Sequence, residues 1–322
     1  MKFAQQLGIE FGHAICYSGY RKHQSPILDV YPSYQQVVED LKLLQGQWQY
    51  LRIYDCSRHA DLVLSAIRNE RLNFKVMLGA DVAAEMQSPD CPWLQAHPEH
   101  QLEKNRVAND RQIKRLIELA NEYPEIVFSL SIGNEASVDW SDHRVPLERL
   151  IEFARRIKQF ARQPVTFCEN YVPWLEHLKP LVQVIDFISV HSYPVWEYQT
   201  IEGALRYTKQ NYKSVASLYP DKPVVITEAG WTTRANGRGI DAWNASQEFQ
   251  AQYYSELMDW SVNKKILTFV FEAFDEPWKS SDDPDEPEKH WGLFTVDRQP
   301  KLAMQELYGH RVEKTYSCSQ VG

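Results

Sequence analysis

Cysteine is scarce in this 322-residue chain. The five present are Cys16, Cys56, Cys91, Cys168 and Cys318, an odd number at wide spacing with no CxxC pair. Reduced thiols are expected, as in cytoplasm, and a disulfide framework is not. Long apolar runs are missing as well. The longest, around 266–271, falls far short of the ~20 residues that cross a bilayer. Met1–Gln6 lacks the apolar core of a secretory signal. A cytoplasmic location is expected, or a periplasmic or secreted one if a leader has been removed. Positive charge is in deficit, with 35 Lys and Arg against 43 Asp and Glu, a net charge of −8. No basic stripe offsets that balance, which argues against nucleic acid or anionic membrane as a partner. No dinucleotide fingerprint, phosphate loop or Ser/His/Asp signature occurs. The ten histidines show no metal spacing. Neither a metal nor another cofactor is expected.

Eight short segments rich in β-branched and aromatic residues are present, at 7–14, 49–55, 73–79, 126–132, 164–169, 184–190, 223–228 and 266–273. Between them lie stretches with helical periodicity, at 34–44, 59–69, 110–123, 147–160, 201–218 and 245–262. Strands alternating with helices predict a parallel sheet. Eight such units without a nucleotide fingerprint favour a closed (β/α)₈ TIM barrel over a doubly wound sheet. No linker or repeat divides the chain. One barrel domain over residues 1–308 is expected, followed by a polar tail at 309–322, with the protein acting as a monomer. Two connections are long, 81–109 and 274–291. Both follow strand C-termini, where barrel enzymes build their sites.

Strand four ends Ile132-Gly133-Asn134-Glu135 and strand seven ends Ile226-Thr227-Glu228-Ala229-Gly230-Trp231. Each puts a glutamate at the barrel mouth. Cleaving a glycosidic bond takes two carboxyl groups flanking one bond, roughly 5 Å apart when configuration is retained. One must carry a proton and the other must be ionised. Gly133 is expected to allow a sharp turn before Glu135, and Asn134 can reach a sugar hydroxyl. Arg52, costly if buried unpaired, is expected to pair with an acid and help keep Glu228 ionised. His191 either bonds a substrate hydroxyl, orients a glutamate, or is structural. Glu272, Glu276 and Lys279 hold substrate hydroxyls or tune the pair, unless Glu276 and Lys279 simply form an ion pair that fixes their loop. Trp196, Trp231 and Trp278 are candidate sugar-stacking faces. Trp48 and Trp260, at the opposite end of the units, are expected in the core.

Six segments together resemble glycoside hydrolase family 17, the β-1,3-glucanase and β-1,3-glucanosyltransferase family. They are Gly8-Ile9 through Cys16-Tyr17, Leu51-Arg52-Ile53-Tyr54, Ile132-Gly133-Asn134-Glu135, His191-Ser192-Tyr193-Pro194, Thr227-Glu228-Ala229-Gly230-Trp231, and Phe269 to Lys279. In order and spacing they cover residues 7–305. The resemblance implies retaining hydrolysis of β-1,3-glucan or gluco-oligosaccharides, with Glu135 as acid/base and Glu228 as nucleophile. It implies that Asn134 holds the 2-hydroxyl, that Tyr17 and Tyr193 line the subsite at the nucleophile, and that Glu276 and Lys279 end the strand-eight motif. Cys16-Tyr17-Ser18-Gly19 and Thr227-Glu228-Ala229-Gly230-Trp231 look closer to a bacterial-type branch, shared with fungal sequences, than to plant enzymes. Glucanosyl transfer through the same intermediate is the alternative, and a non-catalytic glucan-binding barrel a more distant one. The long 81–109 segment, with Trp93, suggests a wall at one end of the groove and trimming of short oligosaccharides.

Overall fold

Buried strand runs and amphipathic helices in strict alternation build a (β/α)₈ TIM barrel. In the computed structural model, which describes residues 7–92 and 96–308, eight parallel strands close in sequence order. They are β1 (Ala14–Cys16), β2 (Tyr50–Ile53), β3 (Lys75–Gly79), β4 (Val127–Asn134), β5 (Val165–Asn170), β6 (Ile188–Ser192), β7 (Val224–Ala229) and β8 (Thr268–Val270). The chief helices are α1 (Tyr34–Leu44), α2 (Arg58–Asn69), α3 (Glu99–Glu122), α4 (Leu147–Phe160), α5 (Tyr171–Leu175), α6 (Lys179–Val182), α7 (Ile201–Leu218) and α8 (Gln247–Lys264). Helix α1 starts where a capping box can form, Ser33 taking the Gln36 N–H while the Gln36 side chain returns to Ser33. Strands covered on both faces read as continuous apolar runs, and β4 and β7 are buried almost throughout. Trp48 and Trp260 are both buried, at the end away from the mouth. No helix among the described residues is long and apolar enough to cross a membrane.

The first strand is shorter and later than its composition suggests. Residues 7–13 run below the barrel instead, with Glu10 O accepting from Tyr50 Oη at 2.6 Å and His13 N donating to Gln49 Oε1 at 2.8 Å. A Cβ on Gly12 would lie 2.8 Å from both Gln49 and Tyr50. Strand six is displaced by a few residues toward its end, and β8 spans only three residues. The 81–109 connection is only half loop. Pro98 opens α3, whose first turns are polar on most sides and so hide their period. The loop before it is pinned to the helix layer. Buried Glu85 takes Arg149 Nε on α4 at 2.8 Å, and Asn109 on α3 bonds Ala83 in both directions. Trp93 and the 309–322 tail lie outside the described residues.

Apart from one register shift between Val76 and Met77 near the start of β3, the ladders slip near the mouth, between Ser131 and Asn134, between Val190 and His191, and between Ile226 and Ala229. Such irregularities re-aim side chains, and each of those near the mouth lies beside a polar residue of the site described below.

Outside the barrel, Asp40 on α1 is fully buried and gathers Arg21, Arg298 and Tyr17. Arg298 meets both its oxygens, at 2.8 and 2.6 Å. This ties the β1–α1 loop to the chain's last described segment. Asp40→Ala would leave guanidinium charge buried and unpaired. It is expected to lower stability by about 3–5 kcal/mol in urea unfolding, with a loss under ~1 kcal/mol showing that the cluster is dispensable.

Candidate active site

Glu228 is the next-to-last residue of β7 and Glu135 follows β4 directly. One carboxylate oxygen of each, together with a ring nitrogen of His191, lies within 4.8 Å of the others. The sharp turn sits at Glu135 itself, whose φ is +46°, a left-handed conformation costly for a residue with a Cβ. Gly133 serves a different need, because a Cβ there would press Val82 at 3.0 Å and Phe167 at 3.3 Å.

Glu228 is held from four directions. Arg52 Nη1 contacts Oε1 in a buried ion pair. Tyr54 Oη donates to the same oxygen at 2.9 Å, and Tyr193 Oη donates to Oε2 at 2.5 Å. His191 Nδ1 stands 3.5 Å from Oε2. Burial pushes this carboxyl up, but the charges of His191 and Arg52 and the hydrogen bonds from Tyr193 and Arg52 outweigh it and hold the group at about 2. Arg52 is fully engaged, also donating to Asn134 Oδ1 at 2.5 Å and to Thr227 O at 3.2 Å.

Glu135 has fewer attachments. Its Oε1 meets His191 Nδ1 at 2.9 Å, and its side chain keeps 18% exposure where that of Glu228 keeps 6%. His191 therefore bridges the two carboxyls. Burial disfavours its charge, yet Glu228 and the contacts with Cys168 and Glu135 raise it to about 10. Two more carboxyls neighbour Glu135. Burial raises Glu169 at the end of β5 to about 7, with Glu135 adding to it. Burial also raises Glu288 to about 7, where Glu135 and Glu228 reinforce the effect against Lys279.

Several expected residues have other posts. Tyr17 is fully buried and turns away from the nucleophile position, its hydroxyl donating to Asp40. Tyr193 does reach Glu228 as expected, and the second phenol there is Tyr54, two residues beyond Arg52 on the same strand end. Trp231 is 1% exposed and its indole N–H donates to Asn244 O at 2.8 Å, so it packs the barrel behind the site and offers no stacking face. Trp196 is half-buried against Trp291, which packs on Tyr193 at 5.1 Å. Trp278 is partly exposed and donates to Glu276 Oε1. Glu272, Glu276 and Lys279 make a buried cluster, with Lys279 Nζ 3.2 Å from Glu272 and 2.6 Å from Glu276. Burial and the neighbouring Glu276 push Glu272 well above the usual range. Against its own burial, Lys279 holds Glu276 below that range. The cluster thus fixes the β8 loop and borders the site.

Tyr54, Glu169 and Glu288 were missed from sequence. Tyr54 stood inside a matched segment, but nothing in the spacing marks a phenol as a carboxylate's partner. The arrangement suits two-carboxylate chemistry better than metal binding. A cation among Glu135, His191 and Glu228 would have to displace the imidazolium proton and face Arg52.

The chain is similar to several known proteins. The model of the BtgE/BtgC glycoside hydrolase domain matches residues 14–292. The crystal structure of an endo-laminarinase from Formosa Hel1_33_131 superposes with a TM-score of 0.81 at 26% identity, covering 97% of this chain and 90% of that one. A probable glucan endo-1,3-beta-glucosidase btgC of Aspergillus flavus is 27% identical over 300 residues, 85% of this chain and 40% of its own length. The chain spans about 40% of the length of the curated relatives it matches. A glycoside hydrolase family 17 beta-1,3-glucanosyltransferase from Rhizomucor miehei shares the fold at 21% identity, with a TM-score of 0.70 over 93% of this chain and 97% of that one.

The charges set a titration test. The His191 stabilisation is full below its ordinary 6.5 and is lost as pH rises through about 10. In imidazole NMR, His191 is expected to stay doubly protonated through neutral pH. Glu228→Gln should bring its titration down toward the ordinary range, and an unmoved midpoint would contradict the bridge.

Proposed function

Because the chain belongs to the BtgE/BtgC glycoside hydrolase domain family, we propose that it cleaves β-1,3-glucosidic bonds of laminarin-type glucans or their oligosaccharides and retains anomeric configuration. The observation that carries this reading is Glu228, ionised between Arg52 and His191, with a carboxylate oxygen within 4.8 Å of one on Glu135. That spacing matches direct attack. Inversion needs about 6.5–9.5 Å to admit a water.

In this mechanism Glu228 attacks the anomeric carbon while Glu135 gives its proton to the departing glycosidic oxygen. Water then enters, Glu135 takes its proton, and the glycosyl–Glu228 bond breaks to return the carboxylate. Arg52, Tyr54 and Tyr193 aim Glu228 and hold it charged until it bonds. As that charge is spent, His191 keeps its shorter contact with Glu135, so the imidazolium stays partnered through both steps. With Asn134 Oδ1 taken by Arg52, its Nδ2 donors remain for the 2-hydroxyl. Tyr193, Trp196 and Trp278 supply apolar faces, and Glu276 and Lys279 supply polar ones.

The 81–109 segment suggests end-trimming, but the endo-acting name of the Formosa enzyme favours cutting within chains. Placement in a bacterial-type branch rests on the first-strand and seventh-strand patterns, and the curated relatives compared above are fungal.

Glu228→Ala is expected to abolish turnover, and azide to restore it with an inverted glycosyl azide. Glu135→Ala should cost about 10²–10⁴-fold on glucan and much less on substrates with good leaving groups. Inverted rescue of the Glu135 variant would reverse the two roles. On laminarin, viscosity should fall before glucose accumulates. Early glucose with slow thinning would mean end-trimming, and longer products at high oligosaccharide concentration would mean glucanosyl transfer.

A further inference from the structure

A left-handed glutamate next to a reacting bond needs something to keep it there. Strain of about 1–3 kcal/mol persists only where the surroundings over-determine the backbone. Around Glu135, His143 holds Asn134 O at 2.8 Å and Val145 N donates to Ala136 O at 2.8 Å, and a further restraint comes from β5. Asn134 pairs with Cys168 in the ladder, and Glu135 N donates to Cys168 O at 2.9 Å. The next residue of β5, Glu169, is fully buried. Its Oε2 accepts from Ser137 N at 2.9 Å and from Ser137 Oγ at 2.7 Å, and its Oε1 accepts from Asn170 N at 2.7 Å. Ser137 is only two residues beyond Glu135, so both ends of this turn are fastened to consecutive residues of one strand.

The choice of a carboxylate for this task is not bland. A buried charge is expensive, and serine hydroxyl and amide donors could be met by a neutral acceptor. What a carboxylate adds is a third acidic group beside the pair. The charged and titratable groups facing it are Glu135 from β4 and His191 from β6, with Ser137 and Asn170 as its donors.

We propose that Glu169 is a positioning residue for the acid/base step: through Ser137 it fixes the left-handed turn that delivers the Glu135 proton to the glycosidic oxygen. It touches neither sugar nor the reacting atoms, and it acts only through Glu135. The inference rests on the acid/base role assigned to Glu135 above. It makes Glu169 matter in proportion to how much proton donation the leaving group needs. A residue that merely supports the barrel would affect all substrates alike.

The test compares kcat/KM, which reports steps up to the glycosyl-enzyme, on laminari-oligosaccharides and on a 2,4-dinitrophenyl β-laminaribioside. Glu169→Gln is expected to lose roughly 10- to 100-fold on the oligosaccharide, a share of the factor general acid catalysis supplies, and under about threefold on the aryl substrate. Ser137→Ala, which removes only the hydroxyl contact, should show the same selectivity at smaller size and guards against a Glu169 variant that fails to fold. Equal losses on both substrates, or no loss on either, would overturn the proposal. Glu135→Gln is measured in parallel. If it too shows no preference for the aryl substrate, the reading of Glu135 has failed. If Glu135→Gln shows the preference and Glu169→Gln does not, only the role of Glu169 has failed.

Discussion

The buried pair between Arg52 and Glu228 is the contact on which the site depends. A guanidinium inside a barrel is tolerable only when every face of it is met. Here that condition recruits Glu228, the Asn134 side chain, the Thr227 carbonyl and the Tyr54 hydroxyl. The same condition sets the chemistry. An ion pair needs its partner charged, and Glu228 is ionised because His191 and Arg52 both stand beside it. Asn134 is oriented because Arg52 uses its oxygen. Glu135, adjacent in sequence to Asn134, inherits its position from that anchor and from β5.

Most of the barrel was legible in the sequence, because burial on both faces of a parallel strand leaves a signal that composition cannot hide. Helices α1, α4 and α7 occupy the ranges their periodicity indicates. The departures share a cause. Where a segment's hydrogen bonds go to a side chain or to a neighbouring loop, local pattern carries no trace of it. Residues 7–13 look like a strand, but Glu10 and His13 spend backbone groups on Gln49 and Tyr50. Helix α3 begins in polar turns over the pinned loop, so its apolar period starts late.

In the site, the polar residues that end a strand or follow it directly were legible. Glu135, Glu228, His191, Arg52 and Asn134 converge at one mouth. Residues whose position depends on side-chain direction were less so. Tyr17 and Tyr54 are both phenols near strand ends, but only the second reaches Glu228, because the first is drawn off by Asp40. Trp231 follows Glu228 closely in sequence yet points into the layer between barrel and α8, where Tyr253 packs beside it. Glu288 enters from a single 3₁₀ turn, Pro287–Lys289, too short to show a period.

The locking of charge in the floor has a further consequence. Arg52 against Glu228, and Lys279 between Glu272 and Glu276, are contacts at hydrogen-bond distance among buried groups. Dissolved ions weaken interactions across solvent, over about 8 Å at physiological ionic strength, and reach buried contacts poorly. The paired charges of the floor therefore keep their geometry whatever the salt outside. Ionic strength should change the geometry of this floor far less than it changes the loosely paired charges on the outer surface.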